Sequence, residues 1–129
     1  MSYNLLKGKR GIIFGALNDA SIAWKVAERV VEEGAQIVLT NTAVACRMGT
    51  IDELAKKTSA TIIPADATSV EDLNNLFVKA QEALGGKIDF VLHSCAMSVN
   101  MRKKRTYDDL DYGFLDKTLD ISAISFHKM

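Results

Sequence analysis

The sequence predicts an α/β fold, a doubly wound parallel sheet with helices on both faces. Three observations predict it. Short apolar runs alternate along the chain with longer stretches of helical period. The run IDFVLH, residues 88–93, is mostly apolar rather than alternating, as strands covered on both faces are. Gly15 and a run of small residues stand between the first apolar run and the first helical period, where open α/β sheets place their ligand loop.

The elements follow in order. Gly11 to Phe14 ends a buried strand, and Ile22, Ala23, Val26, Ala27, Val30 and Val31 then recur at helical spacing until Gly34 stops the helix. Ile37 to Thr40 forms the second strand, bounded by Gly34 before it and by Asn41 and Thr42 after it. A helix is expected from about Val44 to Lys57, and β-branched Thr61, Ile62 and Ile63 mark a third strand over Ala60 to Pro64. Ser69 caps a third helix with Asp72 in its first turn, and Val70, Leu73, Leu76, Phe77, Ala80 and Leu84 form its buried stripe up to Gly85 and Gly86. Ile88 to His93 is the fourth strand. Ser98 to Asp111 reads as a long polar loop with room for a short helical piece, and a last helix starts near Phe114 with Leu115, Leu119, Ile121, Ile124, Ser125 and Phe126.

At 129 residues, 48% of them apolar, the chain has the length and core material of one domain. Its 16 basic and 16 acidic residues cancel, which argues against a nucleic-acid partner. Cys46 and Cys95 make no CxxC and no disulfide ladder, as expected in a reducing compartment. No apolar run approaches the roughly 18 to 20 residues of a membrane span, and MSYNLLKGKR is no signal peptide. The expectation is a cytoplasmic protein with no membrane partner. A strand order 3-2-1-4 would leave the apolar fourth strand at an edge, and the last helix meets no stop signal before Met129. Residues 1–129 are therefore expected to be the amino-terminal part of a single larger domain.

The candidate chemistry centres on the strand ends. A tight turn at Gly15 lets a pyrophosphate approach the open amides and positive dipole end of the next helix, and Ala16, Asn18, Asp19, Ala20 and Ser21 are short enough to leave room. The full GxGxxG pattern is absent, Asp19 would repel phosphate if it pointed inward, and a purely structural turn is the competing reading. Ser21 could cap the helix and donate to a ligand. Thr40, Asn41 and Thr42 offer neutral hydrogen bonds where dinucleotide folds commonly hold a ribose; with no arginine there, a 2′-phosphate is less favoured and NADH is preferred over NADPH. Asp66 could accept adenine amino hydrogens or merely cap the strand end. His93 fits a hydrogen-bonded core histidine better than an acid or base, and two histidines without a cysteine cluster make no zinc site. The basic run Arg102 to Arg105 reads as a solvated loop.

Taken together, LLKGKRGIIFGALNDASIAWKVA, PADAT, IDFVLHSCAMS and LDISAISFHKM resemble the amino-terminal half of bacterial enoyl-acyl-carrier-protein reductases, a divergent branch of the short-chain dehydrogenase/reductases with a Rossmann-like domain. The resemblance implies NADH as cofactor and an enoyl-acyl-carrier-protein as substrate, reduced at its 2,3 double bond in fatty acid synthesis by a homotetramer. It places Gly15, Ser21 and Ile22 at the diphosphate and adjoining ribose, Thr42 after the second strand, Asp66 and Ala67 at the adenine, and Ser94 and Cys95 beside the cofactor ribose. Ala96 and Met97 fall between cofactor and acyl substrate. Ser122 stands where ordinary short-chain dehydrogenases carry asparagine, so the usual proton relay is not implied. The family's catalytic Tyr-x6-Lys pair is absent: neither Tyr107 nor Tyr112 has a lysine at that spacing, and this stretch is expected to be inactive alone.

Overall fold

The computed structural model describes every residue from Met1 to Met129. Strand β1 (Arg10–Phe14) occupies the middle of a parallel sheet between β2 (Gln36–Thr40) and β4 (Phe90–His93), and the short β3 (Thr61–Ile62) pairs with the far side of β2. The order is therefore 3-2-1-4, the arrangement that leaves the fourth strand at an edge. Helix α1 (Ile22–Glu32) links β1 to β2, α2 (Ala43–Met48) and α3 (Ile51–Thr58) link β2 to β3, and α4 (Val70–Leu84) links β3 to β4.

Alternation along β1 divides the core in two. Ile13 packs with Ala23, Trp24, Ala27, Ile51 and Leu54 on the face covered by α1 and α3. Ile12 and Phe14 pack with Leu73, Leu76 and Ala80 on the face covered by α4. Both faces of β1 and β2 are thus sealed, which is why these strands read as continuous apolar runs.

The structure departs from the sequence expectation in four ways. The helix expected over residues 44–57 is broken at Gly49 and Thr50, because the Thr50 amide leaves the helix to bond the carbonyl of Leu17, at 2.9 Å. A Cβ on Gly49 would collide with that same carbonyl, so the close approach requires glycine. The third strand keeps only two residues of ladder, although the amides of Ile63 and Ala65 still reach Leu39 and Asn41. The fourth begins at Phe90 and is half-buried along its length, since no strand pairs with its outer side. Ile22 and Val70, each the first residue of its helix, point to solvent instead of joining the buried stripe.

Beyond β4 the chain holds the short helix α5 (Val99–Arg102), a 3₁₀ turn at Tyr107–Asp109, and α6 (Tyr112–Leu119). A π-helical segment, Asp120–Ile124, then leads into α7 (Ser125–Lys128). No helix is long and apolar enough to cross a membrane.

Candidate functional site

The carboxyl ends of the parallel strands open onto a cavity of about 450 Å³. Its size is within the range of small-molecule sites, and its place at the strand ends is where open α/β sheets bind ligands. Phe14 and Gly15 line it from β1, Asn41 and Thr42 from β2, Asp66, Ala67 and Thr68 from the β3–α4 connection, and Ser94, Cys95, Ala96 and Met97 from the extension of β4. Eight of the residues singled out from the sequence thus meet around one space: Gly15, Thr42, Asp66, Ala67, Ser94, Cys95, Ala96 and Met97. Ser21 and Ile22 lie outside its wall, at the start of α1.

Gly15 has φ +118° and sits so close to Ser94 that a Cβ would strike the Ser94 carbonyl. Its own amide bonds the Thr40 carbonyl at 3.1 Å, while the Ser94 amide bonds Phe14 at 2.9 Å. Three strand ends are stitched together at this glycine.

Ser21 behaves differently from the cap expected of it. Although it occupies the N-cap position of α1, its hydroxyl bonds none of the helix amides. Instead Oγ accepts from the amides of Leu17 at 3.0 Å and Asn18 at 3.1 Å, pulling the loop tight. With both lone pairs occupied, its remaining capability is to donate its proton. The first-turn amides of α1 keep no partner within the helix.

The polar residues after β2 also divide their duties. Thr40 is fully buried with its hydroxyl unpartnered, so it is not a ligand contact. Asn41 is a strut: Nδ2 donates to the Ala16 carbonyl at 2.9 Å, and Oδ1 accepts from the Thr42 amide at 2.8 Å. Thr42 is exposed and caps α2, accepting from the Ala45 amide at 3.2 Å. Asp66 turns its chain through Oδ1, which accepts from the Thr68 amide at 2.8 Å and the Thr68 hydroxyl at 2.7 Å. Its amide donates to Asp72 at 2.9 Å, and Ser69 caps α4 by accepting from the Asp72 amide, so the start of α4 fixes the Asp66 turn. The remaining carboxylate oxygen of Asp66 has no protein partner.

Past β4 the wall is held by side chains the sequence did not connect. Ser122, in the π-helical segment, accepts from the Met97 amide at 3.0 Å and donates to the Met97 carbonyl at 3.3 Å. π-bulges of this kind recur at functional sites, where they re-aim side chains. His93 shares a hydrogen bond of 2.7 Å with Ser125 and meets Phe126 edge-on, a structural role consistent with the core reading. Burial pushes the Cys95 thiol up to about 11 and raises Cys46 as well, so neither is poised as a nucleophile. No group of acidic, cysteine and histidine side chains is arranged to hold a metal ion.

Comparison with known proteins identifies the architecture. A family model described as enoyl-(acyl carrier protein) reductase matches residues 15–129. The chain belongs to that family. It is 37% identical over 123 residues to the NADH enoyl-[acyl-carrier-protein] reductase 1 of Rhizobium meliloti, covering 95% of this chain and 44% of that protein. To a second relative, the NADH enoyl-[acyl-carrier-protein] reductase FabI of Rickettsia bellii, it is 33% identical, covering 97% of this chain and 47% of the relative. Among solved structures, the FabI-NADH complex from Alistipes finegoldii superposes with a TM-score of 0.95 at 73% identity, over 98% of this chain and 44% of that one. The chain spans about half the length of the family members it matches. Its parallel sheet with helices on both faces is the Rossmann-like sheet of these reductases, and the fourth strand lies at its edge.

Proposed function

We propose that residues 1–129 form the amino-terminal, cofactor-binding part of an NADH-dependent enoyl-acyl-carrier-protein reductase domain. The observation that carries this reading is the convergence of Gly15, Thr42, Asp66, Ala67, Ser94 and Cys95 on one cavity at the strand ends. The 73% identity to a reductase solved with NADH supports it. In this reading Ser21 and the amides from Ile22 onward donate to the diphosphate, and the free oxygen of Asp66 accepts the adenine amino group beside Ala67. Thr42 stands at the adenosine ribose, and Ser94 and Cys95 at the nicotinamide ribose. Ala96 and Met97, fixed by Ser122, border the acyl substrate.

The site fits such a guest chemically. It supplies neutral or donor groups where phosphates would lie and one unsatisfied carboxylate oxygen at the far end. When bound, the cofactor supplies a hydride; the chain's own task is to orient it and exclude water. Without a Tyr-x6-Lys pair, these residues hold no acid for the substrate oxygen, so substrate activation is assigned to other residues of the whole enzyme. The whole enzyme, on this reading, is a cytoplasmic homotetramer acting on enoyl-acyl-carrier-protein in fatty acid synthesis.

Titration of NADH into the chain, followed by a crotonyl-CoA reduction assay, tests the proposal. Saturable binding without turnover is expected. Reduction at the rate of a normal reductase would overturn the assignment of catalysis elsewhere, and absence of binding would overturn the cofactor role.

A further inference from the structure

The ammonium of Lys128, in α7, bonds two separate parts of the chain at once. It donates to the Thr68 carbonyl at 2.9 Å and to Oδ1 of Asp120 at 2.9 Å. Its side chain is 26% exposed, against 66% and 65% for Lys25 and Lys57, whose ion pairs with Glu28 lie on the surface. Holding so long a side chain in one geometry costs rotamer entropy, and hydrogen bonds from a half-sheltered ammonium offset that cost better than a solvated pair does.

Thr68 belongs to the turn that meets the adenine in the cofactor reading. Within the turn, Oδ1 of Asp66 accepts from the Thr68 amide and hydroxyl, and the Asp66 carbonyl accepts from the Ser69 amide at 3.1 Å. Those bonds fix the shape of the turn. The Thr68 carbonyl has a single hydrogen bond, the one from Lys128, which reaches it across 60 positions of sequence. Met129, next to Lys128, packs against the core cluster that includes Ala67, so the lysine backbone is seated on the same core as the turn it holds. At the other end of the bridge, Asp120 opens the π-helical segment whose Ile121 lines the cavity and whose Ser122 holds Met97. Lys128 thus braces one wall of the cavity against another while lying outside the wall itself. Asp66 is exposed, and an exposed carboxylate orients a ligand only as well as its supporting backbone is held.

We propose that Lys128 is a positioning residue for the adenine end of the cofactor: by holding the Thr68 carbonyl it sets the Asp66–Thr68 turn so that the free oxygen of Asp66 meets the adenine amino group. The proposal rests on the cofactor reading above, and it gives a part in that site to a lysine that touches no cofactor atom.

Calorimetric titration of the chain with NADH and with its hypoxanthine analogue tests it, because the analogue carries a carbonyl where adenine carries the amino group. The unaltered chain should prefer NADH by about 10-fold or more, the worth of one hydrogen bond to a charged acceptor. Lys128→Met keeps the stem, removes the ammonium, and should narrow the preference to about 3-fold or less, and Lys128→Arg should restore most of it. A loss of stability alone lowers both affinities by one factor and leaves their ratio unchanged. Asp120→Asn frees the ammonium from its ion pair and should narrow the preference by a smaller factor; it carries the test if circular dichroism shows Lys128→Met to be unfolded. A preference as wide in these variants as in the unaltered chain overturns the proposal and leaves the cofactor reading intact. If the unaltered chain binds neither dinucleotide, or binds both alike, the placement of adenine against Asp66 falls and this proposal with it.

Discussion

Two neighbouring strands of one sheet are held in place by different physics. β1 is buried on both faces, with Ile12 and Ile13 fully inaccessible and apolar side chains from α1, α3 and α4 packed around it. β4 is half-buried, and the chain beyond it is latched by discrete hydrogen bonds: His93 to Ser125, Met97 to Ser122, Asn100 to Asp111. Apolar burial is collective and non-directional, whereas each latch depends on one or two side chains in one geometry. The Gly15 side of the cavity is therefore built on a closed core, and the side beyond β4 on polar fastenings that can be removed one at a time.

Core truncation should show the largest effect. Leu54→Ala and Leu76→Ala each empty a fully buried position, one on each face of the sheet, and each should cost about 2–5 kcal/mol in urea unfolding. A loss below about 1 kcal/mol would contradict the description of the β1 side as close-packed.

Gly15→Ala comes next, because it strikes the seam between the two regions. The substitution combines a φ of +118° with a collision against Ser94, and should cost about 2–3 kcal/mol while moving the β4 extension away from β1. Hydrogen exchange at the Ser94 amide should accelerate more than at the amides of β2.

Asn100→Ala should cost less, about 1–2 kcal/mol, by leaving the Asp111 amide without its partner and the Asp111 carbonyl with only the Leu115 amide. Its effect should be confined to residues 98–111, with exchange in β1 and α4 following global stability alone. A uniform acceleration across the molecule would mean that the latched region and the core unfold as one unit.

The smallest effect concerns Cys95. Burial raises its folded value to about 11, so the folded chain holds the thiol proton more tightly than the unfolded chain does. By linkage this contribution to stability is complete below the unfolded thiol's value and is lost as pH rises through about 11. Alkylation at pH near 8 should accordingly be slower for Cys95 in the folded chain than after unfolding in urea. Equal rates would place the thiol in bulk-like solvent.

The same contrast explains what was legible in the sequence. The four strands, the Ser69 cap and the stripe formed by Leu73, Leu76 and Ala80 follow from periodicity and local capping chemistry, and the structure reproduces them. The break at Gly49 was not legible, since it arises from a contact with Leu17 on a distant loop. Nor were the latches: Ser122 reaches Met97 across 25 positions, and nothing local in LDIS indicates its partner. Ser21 was placed at the right helix end with the wrong bond, because the loop before it competes for its oxygen.

Backbone amide spectra of the isotopically labelled chain, recorded while NADH is added, test the central claim most directly. The account predicts saturable shifts confined to Gly15 through Ile22, Thr42, Asp66, Ala67 and the stretch from Ser94 to Met97. Shifts centred elsewhere, or none at cofactor saturation of an authentic reductase, would contradict it.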